Sequence, residues 1–124
     1  MDNKAVIKRL KQLGLQKDLH WVILEENGKP YVTLDGLLYL SQNHPEETKR
    51  VKSIDAEVLD PNLPIVKVTV ILNDRSSFSG LGSASDSEDT ERKIELAEGR
   101  ATSRALRKAY ALGVPVKEPE ETNA

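Results

Sequence analysis

The chain has 124 residues, 38% hydrophobic and 31% charged, with no cysteine and a formal net charge of −2. That length predicts one domain with a modest core. A disulfide framework and a thiolate metal centre are excluded, and no apolar run approaches the ~18 residues that a membrane span needs. The opening MDNKAVIKRL lacks the apolar stretch of a signal peptide, so a cytoplasmic location without a membrane partner is expected.

The net charge argues against indiscriminate polyanion binding, but its distribution is uneven. Residues 115–124 carry one Lys and three Glu; taking these from 18 basic and 20 acidic residues leaves a body with 17 of each. Any nucleic-acid site must therefore be a local stripe within residues 1–114. The acidic residues 115–124 read as a disordered tail.

In chain order, residues 3–13 predict a short amphipathic helix with Val6, Leu10 and Leu13 on one side, ended by Gly14. Residues 19–33 carry a hairpin signal. Asn27-Gly28 suits a type I′ turn between the β-rich runs Trp21–Leu24 and Tyr31–Thr33. Trp21 and Tyr31 could stack on bases, although core packing is the commoner fate of such side chains. Residues 34–43 predict a short, well-buried helix closed by Pro45. His20 and His44 lack carboxylates at ligand spacing, so no metal site is expected.

Residues 49–59 predict a strand, with Lys49, Arg50 and Lys52 clustered at its start. Residues 65–72 (IVKVTVIL) are the strongest strand, Val66, Val68, Val70 and Leu72 making one face and Lys67, Thr69 and Ile71 the other. Turns at 60–64 and 73–75 separate it from its neighbours. Residues 76–82 predict a third strand, in which Gly80 and Gly82 mark a bulge or a close backbone approach. These three strands form an antiparallel meander.

One long helix is predicted from Ser85 to Gly113, lying across a sheet face. Ser85 and Glu88 form a capping box, and Gly113 followed by Pro115 stops it. At 100° per residue, Ile94, Ala97, Ala101, Ala105, Ala109 and Leu112 share one face. Leu96, Leu106 and Tyr110 form a second apolar edge. Lys93, Arg100, Arg104, Arg107 and Lys108 occupy an arc between them. A basic stripe between two apolar edges can meet a polyanion while the helix is packed on both sides. Glu98, at the border of the alanine face, is expected to be paired with a cation or a backbone group.

No catalytic motif is present: there is no nucleophile elbow, dinucleotide fingerprint or phosphate-binding loop. Asp55 and Glu57 share a strand face, a weak pointer to a divalent-metal nuclease. The fold class expected is α+β, with an antiparallel β-β-β-α core preceded by an N-terminal helix, a hairpin and a short helix.

The run Leu96–Gly113, arriving after Phe78-x-Gly80-x-Gly82-x-Ala84, resembles the single-strand annealing proteins of the Rad-fifty-two, Erf and DdrA kind. The matching segments are Ala97-Glu98-Gly99-Arg100-Ala101 and Ala105-Leu106-Arg107-Lys108-Ala109, with a looser match at Gly28–Val32. The resemblance covers roughly residues 49–113. It implies a non-enzymatic protein of DNA recombination and repair that needs no cofactor. It also implies ring or helical homo-oligomers that hold single-stranded DNA in a basic groove for annealing. Arg107 matches the DNA-contacting helical position best, with Lys108 beside it. Arg100, Arg104 and Lys93 lie on the same arc, and Lys49, Arg50, Lys52 and Lys67 are candidates from the sheet. The alternative reading is a protein-interaction or assembly module without nucleic-acid binding.

Overall fold

The computed structural model describes residues 3–60, 62, 64–84 and 92–110. The expected capping box at Ser85 and Glu88, the stop at Gly113, Leu112 and the tail lie outside these residues. In order, the chain forms α1 (Asn3–Gln12), β1 (Trp21–Ile23), β2 (Pro30–Val32), α2 (Leu34–Asn43), a 3-10 turn (Glu47–Lys49), β3 (Val51–Asp60), β4 (Ile65–Leu72), β5 (Ser77–Ser83) and α3 (Lys93–Tyr110). The fold is α+β with a β-β-β-α core.

β1 and β2 pair antiparallel, with Trp21 opposite Val32 and Ile23 opposite Pro30. Their connection is not the expected two-residue turn. Gly28 has φ +67° while Asn27 does not take positive φ, so the type I′ geometry is absent. The loop instead closes with Gly28 N–H donating to the Leu24 carbonyl at 2.7 Å and Lys29 N–H donating to Asn27 Oδ1 at 2.9 Å. A side-chain turn at Asn27 thus replaces the backbone turn. α2 begins where Thr33 Oγ1 accepts from Gly36 N–H at 3.1 Å, which satisfies one orphan donor of the first turn.

The second sheet has the order β3-β4-β5, all antiparallel. β4 alternates as expected: Val66, Val68, Val70 and Leu72 are at most 1% exposed, and the intervening residues face away from the core. α3 lies on β5 and β4. β3 is left uncovered, because α3 does not extend over it. Ile54 and Val58 pair across to Val70 and Val66 on the inner face, yet are 40% and 44% exposed.

One apolar cluster joins the two halves of the chain. It runs from Val6 and Leu10 through Trp21, Val32, Leu37 and Leu40 to the β4 valines, Ala97, Ala101, Ala105, Leu106 and Tyr110. α3 is therefore packed along both of its apolar edges, with the sheet on the alanines and the N-terminal elements on Leu106 and Tyr110. Trp21 and Tyr31 are 2% and 3% exposed, which places them in the core and away from any base.

Candidate nucleic-acid interface

The geometry of the site starts from two glycines. Gly80 and Gly82 sit opposite Val68 and Val66 on the inner face of β5, under α3. A Cβ on Gly80 would fall 2.5 Å from the Ala101 carbonyl oxygen and 2.6 Å from Ala105 N, and one on Gly82 would run into the Ala97 carbonyl. Of the two expectations for these glycines, the close backbone approach is the one realised. The helix contributes its share through Ala97, Ala101 and Ala105, all 0% exposed.

This close approach decides what the flanking cations can reach. Arg100 Nη1 donates to the Ser83 carbonyl, Arg104 Nη1 to the Leu81 carbonyl and Lys108 Nζ to the Ser79 carbonyl, each at 2.6 Å. The three contacts form a ladder. Each step is four residues along α3 and two back along β5. Four helical residues rise about 6.0 Å and two strand residues about 6.6 Å, so the antiparallel elements stay in step over three rungs. β5 is an edge strand, and the cations cap the carbonyls on its free edge. That protects the edge from unwanted strand addition.

The caps fix the cations in place. The result is a row of positive charges at a regular spacing of about 6 Å, held by charge-assisted hydrogen bonds to backbone. Lys93 lies on the same stripe at the start of α3.

Arg107 is placed differently from the rest. It is 8% exposed. Its Nη2 donates to the Val32 carbonyl at 2.7 Å, its Nε donates to Ser103 Oγ at 3.1 Å, and its guanidinium lies 4.5 Å from the centre of the Tyr31 ring. The side chain that matches the annealing-protein pattern best is thus directed inward, where it ties α3 to β2.

The sheet candidates are scattered. Lys49 pairs with Asp74 at 3.1 Å, and Arg50 donates from Nε to the His44 carbonyl at 2.9 Å and approaches Glu47 at 3.8 Å. Lys49 thereby joins the 3-10 turn to the β4–β5 turn, and Arg50 ties the 3-10 turn to the end of α2. Lys52 is exposed on β3. Lys67 projects from the sheet face opposite α3, across from Glu57. The structure therefore brings together the helical cations and does not gather Lys49, Arg50, Lys52 and Lys67 with them.

Other candidate groups are also placed. Glu98 is exposed, and its carboxylate makes no ion pair among the described residues; its carbonyl accepts from Thr102 Oγ1 at 2.8 Å. The expected pair is absent because the helix edge at Glu98 is open to water. Asp55 and Glu57 do share the outer face of β3. Among the described residues no group of three or more His, Asp or Glu converges as a metal site. His44 stacks on Tyr110 with ring centres 5.7 Å apart, and desolvation lowers its pKa. No described helix is long and apolar enough to cross a membrane.

Between the β5 edge and α3 a cavity of about 370 Å³ opens, lined by Leu81, Arg104, Arg107 and Lys108. The sequence pattern pointed to three of these four residues. It missed Leu81, whose 52% exposure follows from its place, across from Lys67, on the sheet face opposite α3. Comparison with protein-family models, with curated proteins and with solved structures finds no match to this chain.

Proposed function

We propose that this chain is a non-enzymatic single-stranded DNA-binding protein of recombination or repair, which anneals strands and works as a homo-oligomer. The observation that carries this reading is the ladder of Arg100, Arg104 and Lys108 along the β5 edge. Single-strand binders follow the phosphate backbone with Lys and Arg, and a fixed row of such charges suits a flexible polyanion. Repetition of the subunit would turn a stripe on a nearly neutral protein into a continuous basic track. The open, ten-residue edge of β3 supports self-assembly.

Salt-dependent binding to an oligonucleotide tests the reading. For single strands the slope of log K against log salt is about −0.7 per neutralised phosphate. Replacing Arg100, Arg104 and Lys108 together by Ala is expected to weaken binding at low salt and to flatten that slope by about 2. An unchanged slope in a folded variant would remove the ladder from the site.

One observation favours the second reading, a protein-interaction module. Ile54, Val58 and Leu59 on β3 are 40%, 44% and 48% exposed, an apolar strip that a partner protein could cover. A chain that ignores oligonucleotide but loses a protein partner on Val58→Lys would follow that reading.

A further inference from the structure

β3 offers a partner strand two things through the same residues. Ile54, Ala56 and Val58 form an exposed row on its inner face. They also turn their backbone groups to the open edge. Asn73 N–H donates to the Arg50 carbonyl and Leu72 N–H to the Ser76 carbonyl, so odd-numbered residues of β4 bond towards β3 and even-numbered ones towards β5. Ile54, Ala56 and Val58 lie opposite even-numbered residues and therefore bond away from β4. A strand added here gains its hydrogen bonds and its apolar contact together. The outer row restricts what can be added. Asp55 and Glu57 point to the other face, across from Thr69 and Lys67. Pairing two β3 strands symmetrically about Ala56 would set Asp55 of one copy opposite Glu57 of the other, like charges in direct register.

One segment of the sequence has the complementary pattern. In residues 112–117, which lie outside the described residues, Leu112, Val114 and Val116 repeat at the two-residue spacing of Ile54, Ala56 and Val58. The alternate positions are Gly113, Pro115 and Lys117, with no carboxylate to oppose Asp55 and Glu57. Proline fits an edge strand only where its nitrogen faces away from the partner. We propose that residues 112–117 of one copy add as a strand to the β3 edge of a second copy, with Val114 facing Ala56. With Val114 bonding to β3, Pro115 faces away and blunts the new edge. Reach assigns the segment to a second copy. Tyr110 is held at the Lys49 carbonyl, before β3 begins. Val51 to Ala56 alone covers about 17 Å of strand, and the four residues from Tyr110 to Val114 span at most about 14 Å. Each copy gives one segment and receives one, so the contact runs head to tail and can repeat. The inference rests on the homo-oligomer reading and deepens it by naming what fills the edge.

The chain has no cysteine, so an introduced thiol is unique. Full-length Ala56→Cys and Val114→Cys chains are mixed and treated with a short bifunctional thiol reagent, and the solution mass of the wild type is measured in parallel. The expected product joins one chain of each kind, with little product from either variant alone. Val114→Lys is expected to lower the solution mass to that of a monomer while the circular dichroism spectrum is retained; unchanged mass would overturn the proposal. Ala56→Cys chains that crosslink mainly to one another would overturn it in favour of symmetric β3 pairing. A chain carrying both cysteines that crosslinks only within itself would overturn it in favour of the chain's own segment. A wild type that assembles while the mixture gives no mixed product would overturn the proposal and leave the homo-oligomer reading standing. A wild type that stays monomeric at every concentration would overturn both.

Discussion

Arg107 and Lys108 are adjacent in sequence and alike in charge, yet their environments assign them different work. Lys108 reaches an edge carbonyl from an exposed position; Arg107 is buried against Tyr31, Val32 and Ser103. Arg107→Ala would leave the Val32 carbonyl without this donor and remove the stacking on Tyr31. The two losses together are expected to cost about 3 kcal/mol in chemical denaturation. Arg107→Lys should recover little of this, since an ammonium cannot bond Val32 and Ser103 while lying flat on a ring. Lys108→Ala should change stability by less than about 0.5 kcal/mol and act on oligonucleotide binding instead. Tyr110 offers a pH test. Its hydroxyl donates to the Lys49 carbonyl at 3.0 Å, and burial pushes its pKa from 10.0 up to about 12. Below pH 10 the phenol is neutral in both folded and unfolded chains. As pH rises from about 10 to 12 the unfolded chain releases a proton that the folded one retains, so stability falls. Denaturation of Tyr110→Phe near neutral and near pH 11 should show a modest loss at the first and a shallower alkaline decline than the wild type.

At the scale of elements, the contact between β5 and α3 determines the site. Strand propensity alone would favour replacing glycine inside β5, by roughly 0.5–1 kcal/mol. The packing predicts the opposite sign. Gly80→Ala would drive a methyl group into the α3 backbone, and displacing the helix is expected to cost about 1–3 kcal/mol. The same displacement would lengthen the rungs at Ser79 and Leu81, so oligonucleotide affinity should fall although no charge has been removed. The alternation of β4, the α2 span and the alanines of α3 were legible in the sequence, whereas Ile94, expected on the same face as those alanines, is 45% exposed. For β4 and α3 the periodicity reports directly which side is buried. The β1–β2 turn was not legible. Asn-Gly favours a two-residue turn locally, but the longer loop lets Leu24 and Lys29 pair and brings Gly28 to Asn3, whose Nδ2 donates to the Gly28 carbonyl at 2.9 Å.

At the scale of the whole molecule, the two free edges of the three-stranded sheet are treated unequally. The β5 edge is capped by α3, whereas the β3 edge is open and carries Ile54 and Val58 on an inner face that α3 does not cover. Self-association is therefore expected through β3. Ile54→Lys with Val58→Lys should lower the solution mass to that of a monomer while the circular dichroism spectrum is retained. Unchanged mass would place the contact elsewhere on the surface.

The sequence by itself determined the fold class, the strand faces and the position of a basic stripe between two apolar edges. These follow from local periodicity, which is written along the chain. It could not decide which cations of that stripe face water. Arg104 and Arg107 are less than one turn apart, and their fates diverge only because β5 approaches one side of α3 and the β1–β2 hairpin the other. Nor could it show that Gly80 and Gly82, together with the alanines, set a helix-to-strand distance at which three side chains reach three carbonyls. That match depends on two rises per residue meeting across elements distant in the chain, and only the tertiary structure brings them together.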